Sequence, residues 1–138
     1  MYPKTVTYTD FMGNERTETC YFNLTRAELT ELSQSVDGGL DVQLQRIIDT
    51  HDNVKMMAWF KKIILMSYGI RSDDGRRFMK SEQISKEFSE TGAYDEIFMW
   101  LITGGDKAVA EFINGIVPPK VAEEAAKQAA QRGMTVVK

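Results

Sequence analysis

The stretch Val54 to Tyr68, VKMMAWFKKIILMSY, restricts the possible folds more than any other part of the sequence. Eleven of its fifteen residues are apolar. Projected at about 100° per residue, Met66, Trp59, Ile63, Met56, Phe60, Ile64, Met57 and Tyr68 cover about 200° of a helix circumference. A surface helix needs only about 100° to face a core. Two arrangements satisfy the excess: this helix is central and sandwiched between layers, or its surplus face meets another protein. The length of the apolar run favours the central placement. Lys55, Lys61 and Lys62 interrupt the run, and it is too short to span a bilayer.

Upstream, residues 4–24 read as a β-hairpin. Val6 and Tyr8 alternate with Thr5, Thr7 and Thr9, while Cys20, Phe22 and Leu24 alternate with Thr19, Tyr21 and Asn23. Met12-Gly13-Asn14-Glu15 supplies the turn. Thr25 and Glu28 then form a capping box, with Leu24 and Leu29 at the positions of a hydrophobic staple, so a helix starts at Arg26. Gly38-Gly39 ends it. A second helix follows from Leu40 to about Thr50, with Leu40, Leu44, Ile47 and Ile48 on one face. Asp52 or Asn53 caps the third, Val54 to Tyr68, and Gly69 ends it. Ser81 opens a fourth, Glu82 to Ser89, and Ala93 to Thr103 forms a fifth. Gly104-Gly105-Asp106 separates that from a sixth, Lys107 to Asn114. Pro118-Pro119 stops the pattern.

The expectation is a mainly α (α+β) fold: an N-terminal β-hairpin, then a compact bundle of about six helices, forming one domain over residues 1–117. Residues 118–138 are the Pro-Pro break and an Ala-rich tail. Ala122, Ala125, Ala126, Ala129 and Ala130 follow the helical period there, and Glu123 precedes Lys127 by four. Alanine favours helix but buries little area, and an isolated helix of this length is marginal in water. The segment reads either as a helix that orders against a partner or as a solvated tail.

A chemical site is hard to build from these residues. In YGIRSDDGRRFMKS, residues 68–81, a calcium loop starting at Asp73 would need a glutamate where Ile84 stands. Neither GRR nor GGDK at 104–107 completes a phosphate loop. Asp73-Asp74-Gly75 between Ile70-Arg71 and Arg77-Phe78-Met79 instead suits a tight turn, making 70–80 a short two-stranded arm. Arg71, Arg76, Arg77 and Lys80 stand among Asp73, Asp74, Glu82 and Glu87, which is no broad basic face for nucleic acid. His51 and Cys20 make neither a metal site nor a nucleophile–base pair. Asp95 and Glu96 are adjacent on a helix and face different ways. No nucleophile elbow, oxyanion signature or dinucleotide fingerprint occurs. The reading is no enzyme, no cofactor and no metal. A net charge of −3 argues for neither nucleic acid nor anionic membrane. The single cysteine and an N-terminus, MYPKTVTYTDF, without a signal peptide suggest a soluble cytoplasmic protein.

Surface for partners remains. On the fifth helix Tyr94, Ile97, Phe98 and Leu101 form a core stripe, and Trp100 lies on the opposite file with Glu96 and Thr103. Met99, one of eight methionines, sits beside the indole, a combination suited to varied apolar segments. Either Trp100 is such a contact or another helix covers it.

In order and spacing, SYGIRSDDGRRFMKS, EFSETGAYDEIFMWL and AVAEFINGIVPPKV resemble the tail assembly chaperone family of long-tailed bacteriophages. The resemblance covers about residues 18–121 and includes the NLTRAELTEL helix start; the Ala-rich tail departs from it. It implies a non-enzymatic protein of the host cytoplasm that coats the tape measure protein, keeps it soluble and helps tail tube subunits polymerise around it. Such a protein is absent from the mature virion. A longer frameshifted form is thought to recruit tail tube protein. Homo-oligomerisation along the client is expected. Trp100, Met99, Met57 and Tyr68 are the candidate partner contacts, with Arg71, Arg76, Arg77 and Phe78 in a self-association arm. The rival readings are a structural tail component of terminator or connector type and a small regulatory binding protein.

Overall fold

The computed structural model describes residues 1–35, 46 and 49–118. Strands β1 (Tyr2–Thr9) and β2 (Glu15–Phe22) form the predicted hairpin, in register from Tyr2↔Phe22 to Thr9↔Glu15. Alternation divides its residues as the sequence suggests. Val6, Cys20 and Phe22 are buried, while Thr5, Thr7, Thr17 and Thr19 line the exposed face and pair through their hydroxyls at 2.9 and 3.0 Å. Asp10 closes the turn, its carboxylate accepting from the Met12 and Asn14 amides and from the Arg16 side chain. The Asp10 carboxyl is held below its ordinary value, chiefly by the Arg16 bond.

The helix α1 (Arg26–Ser35) begins at the predicted capping box. The Thr25 amide donates to the Glu28 carboxylate at 2.8 Å, and the Glu28 amide donates to the Thr25 hydroxyl at 3.1 Å. Next in the described chain is α2 (Asn53–Ser67), capped by Asp52, whose side chain accepts from the Lys55 amide at 3.1 Å. It passes at Tyr68 straight into β3 (Tyr68–Arg71), which pairs with β4 (Phe78–Met79). Ser81 caps α3 (Glu82–Ser89) and Thr91 caps α4 (Gly92–Ile116).

Three expectations need correction. The molecule is a mixed α/β protein with four helices among the described residues, where about six were expected. The predicted fifth and sixth helices are both present, counted here as one element, α4, whose two helical segments are separated at Gly105 within the expected Gly104-Gly105-Asp106 interruption; the predicted second helix lies mostly outside the described residues, as does the Ala-rich tail from residue 119. The 70–80 arm does not stand apart: Tyr21↔Gly69 and Phe22↔Tyr68 join β3 to β2, giving one antiparallel sheet ordered β1-β2-β3-β4. Its turn is also longer than a tight Asp-Gly hairpin. The Ser72 amide donates to Arg77 O across the loop, and Asp74 accepts from the Ser72 hydroxyl and the Arg76 amide.

One face of the sheet carries α4. The close approach depends on two glycines: a Cβ on Gly92 would stand 2.6 Å from the Tyr8 ring, and one on Gly115 would stand 2.4 Å from the Tyr2 ring. The core between sheet and helices includes Phe22, Leu24, Ile63, Ile64, Ile97, Leu101, Phe112 and Ile116, all essentially sealed from solvent. Each such side chain contributes about 1.5–3 kcal/mol through burial.

A half-buried polar tie joins the distant arm to the start of α1. The Lys80 ammonium donates to the Glu28 carboxylate at 2.7 Å and to Asn23 O at 2.6 Å. Burial alone would raise the Glu28 carboxyl, but its bonds from Lys80 and Thr25 together outweigh that and hold it below its ordinary value. A carboxyl depressed in the folded state stabilises above its unfolded pKa and loses that contribution as pH falls through the folded value. Stability of the native chain should therefore fall as pH is lowered below about 4. Glu28→Gln should be less stable at pH 7 by about 1–2 kcal/mol and should lose less on acidification, measured by urea denaturation across pH.

Candidate functional site

The described surface is opened by an apolar trench of about 700 Å³ between the first half of α2 and one face of α4. Asn53, Met56, Met57 and Phe60 form one wall; from Leu101 and Ile102 to Ile113 and Asn114, α4 forms the other. Its cause is a division of labour along α2. Trp59, Phe60, Ile63, Ile64 and Ser67 are buried, but Met57 is 46% exposed and Val54 76%. Both placements considered for this helix thus hold in part: Trp59, Phe60, Ile63 and Ile64 are enclosed in the core, while Val54 and Met57 near its start present surplus apolar surface.

On the α4 side the trench runs across a break. Gly105 has φ 66° and ψ −155°, a conformation essentially reserved for glycine. The stripe nevertheless continues at helical spacing: Ile102, Asp106, Val109 and Ile113 all line the trench. Ile102, Gly105 and Ala110 were not among the candidates taken from the sequence; the 102/106/109/113 spacing on the two sides of the break was the available signal. Asp106 and Lys107 are exposed at the break, and Asp106 has no ion-pair partner among the described residues.

The candidate contacts named from the sequence are dispersed. Met57 lines the trench. Met99 is 44% exposed on α4. Trp100 is half-buried and covered by β1: it stacks with Tyr2 at 6.2 Å and 8°, carries the Lys4 ammonium 3.9 Å from its ring and meets Phe112 edge-on at 6.3 Å. Tyr68 is half-buried and stacks on Phe88 at 3.7 Å, and burial pushes its hydroxyl above the ordinary value. In the arm, the Arg71 guanidinium lies 4.0 Å above the Tyr21 ring, Phe78 is half-buried beneath Lys80, and Arg76 and Arg77 are exposed. The structure brings none of these arm residues to the trench.

Among the described residues no three His, Cys, Asp or Glu side chains are grouped so as to hold a metal ion. No helix there is long and apolar enough to cross a membrane. Cys20 is buried in the core, and desolvation, with a smaller contribution from the Glu18 charge, pushes its thiol up to about 11. What the trench offers is unsaturated apolar area with flexible methionine on its wall, the chemistry of a seat for an apolar helix.

The packing separates two kinds of residue by experiment. Trp100→Ala should cost about 2–4 kcal/mol in chemical denaturation, since it strips contacts from Tyr2, Lys4 and Phe112. Met57→Ala should cost well under half as much. Gly105→Ala should cost about 1–3 kcal/mol through backbone strain alone, because a Cβ there meets nothing within 4 Å.

A family model described as phage tail assembly chaperone matches residues 1–137, nearly the whole chain and including the Ala-rich segment. No curated protein and no solved structure matches it. The matched range far exceeds half the sequence, and the chain belongs to the phage tail assembly chaperone family.

Proposed function

We propose that this chaperone binds and solubilises the tape measure protein of the phage tail by seating an apolar helix face of that client in the α2–α4 trench. The observation that carries the reading is the exposed apolar wall itself. Met57 and Ile102, 46% and 38% exposed, line a trench of about 700 Å³. Methionine repacks around side chains of differing shape, which a chaperone for a long, variable client requires. Met99, close to Ile102 in sequence and 44% exposed, extends the apolar surface. Trp100 and Tyr68 act behind these contacts by fixing α4 on β1 and the sheet on α3.

In this reading the protein is not an enzyme. It acts in the host cytoplasm, promotes polymerisation of tail tube protein around the client and leaves before the virion is complete. Tail tube protein is engaged mainly through a longer frameshifted product. Several copies line one client, with the exposed Arg76 and Arg77 and the adjoining Arg71 and Phe78 serving contacts between copies.

Co-expression with tape measure segments is the direct test. The native chain should raise the soluble yield of at least one segment. Met57→Glu and Ile102→Glu, which bury a carboxylate against the client, should weaken binding about tenfold or more while leaving the thermal midpoint nearly unchanged. Equal aggregation with and without the chaperone would overturn the reading. Recovery of the chain by mass spectrometry from purified virions would favour a structural tail component.

A further inference from the structure

We propose that the free edge of β1 pairs with the same edge of a second copy, antiparallel and centred on Thr7, so that two chains share one continuous sheet. This contact rests neither on the trench nor on the arm, which lies at the other edge of the sheet.

The first observation is where the backbone groups of β1 point. β1 is the outer strand of the order β1-β2-β3-β4. The Asp10 amide donates to Asn14 O, and the Asn23 amide donates to Ser67 O. Antiparallel bonding alternates residue by residue, so the even-numbered residues of β1 bond to β2 while the odd-numbered residues of β2 bond toward β3. Pro3, Thr5, Thr7 and Thr9 therefore direct their backbone groups away from the sheet. No backbone partner for them occurs among the described residues.

The second is how little protects this edge. Natural edge strands are blunted by shortness, bulges, proline or outward lysine. β1 runs for eight residues in unbroken register with β2. Its one proline, Pro3, stands near its start, and Lys4 lies over the Trp100 ring. From Thr5 to Thr9 the edge is open.

The third is the register. With Thr7 opposite Thr7, each Thr5 stands opposite Thr9 of the other copy, giving about six backbone hydrogen bonds. The same register brings Lys4 of each copy level with Asp10 of the other, an attractive cross-strand pairing of charges. It also brings Phe11 and Met12 level with Pro3 and Tyr2. Phe11 and Met12 are the most exposed large apolar side chains among the described residues, at 88% and 85%. Centring on Thr5 instead would set Lys4 against Val6 and place Pro3, which has no N–H to donate, opposite Thr7.

Cysteine pairing in the full chain tests the proposal. Thr7 and Thr17 face each other across the hairpin and both are exposed. Across the proposed axis the two Thr7 Cα atoms would be about 5.5 Å apart, within disulfide reach, and the two Thr17 Cα atoms about 14 Å apart. Cys20 is buried with its thiol pushed up to about 11, so diamide oxidation reports on introduced thiols. Thr7→Cys should form an intermolecular disulfide about tenfold or more faster than Thr17→Cys. Thr5→Cys mixed with Thr9→Cys should give the mixed dimer in preference to either like pair. In sedimentation equilibrium the native chain should show a concentration-dependent dimer. Thr7→Pro, which removes an outward N–H only, and Phe11→Ser with Met12→Ser should each raise its Kd about tenfold or more.

Equal oxidation rates for Thr7→Cys and Thr17→Cys would overturn the proposal. So would a native chain that sediments as a monomer at every concentration. A dimer that survives Phe11→Ser with Met12→Ser but dissociates in Arg76→Glu with Arg77→Glu would overturn it in favour of the arm.

Discussion

The fold depends on the place where Phe22 and the two residues after it meet the helices. The Phe22 ring is fully buried and makes edge contacts with Tyr68 at 5.8 Å, Phe88 at 6.0 Å and Phe112 at 5.2 Å, one partner each from β3, α3 and α4. Edge-to-face aromatic pairs add about 0.5–1.5 kcal/mol each beyond area burial. The chain then donates backbone hydrogen bonds from Asn23 to Ser67 O and from Leu24 to Ile116 O, both at 2.8 Å. Three consecutive residues thus fix the last turns of α2 and α4 to the end of the hairpin.

That junction explains where apolar surface is left over. The interior is completed by the second half of α2, nearest the junction, and by the inward residues of α4. Asn53, Met56 and Met57, at the far end of α2, line the trench opposite the α4 residues on both sides of Gly105. The trench is a consequence of how the core closes.

Much of this was legible because it is local chemistry. Thr25 with Glu28 and Asp52 before Lys55 announce their helices through hydroxyl or carboxylate reaching nearby amides, and the Val6/Cys20/Phe22 alternation marks the buried side of the hairpin. What sequence reading missed depends on long-range pairing. Nothing near Gly69 says that it lies opposite Tyr21, and nothing near Lys80 points to Glu28, 52 residues earlier. Gly104-Gly105 was legible as an interruption, but not that residues on both sides of the break line one trench. The cover over Trp100 was equally hidden, because it comes from Tyr2 and Lys4 at the opposite end of the sequence. The wide apolar arc of Val54 to Tyr68 has no single cause, since one helix serves two environments along its length.

The length of the trench carries a stoichiometric consequence. Past the break, from Asp106 to Asn114, the helical rise amounts to about 12 Å. A helix lying lengthwise along that wall would be gripped over at least about eight residues. Under the proposed seating, copies loaded side by side along a rod-like cargo would be counted by the cargo's contour, one per fixed interval, so that doubling the rod would double the complement of subunits.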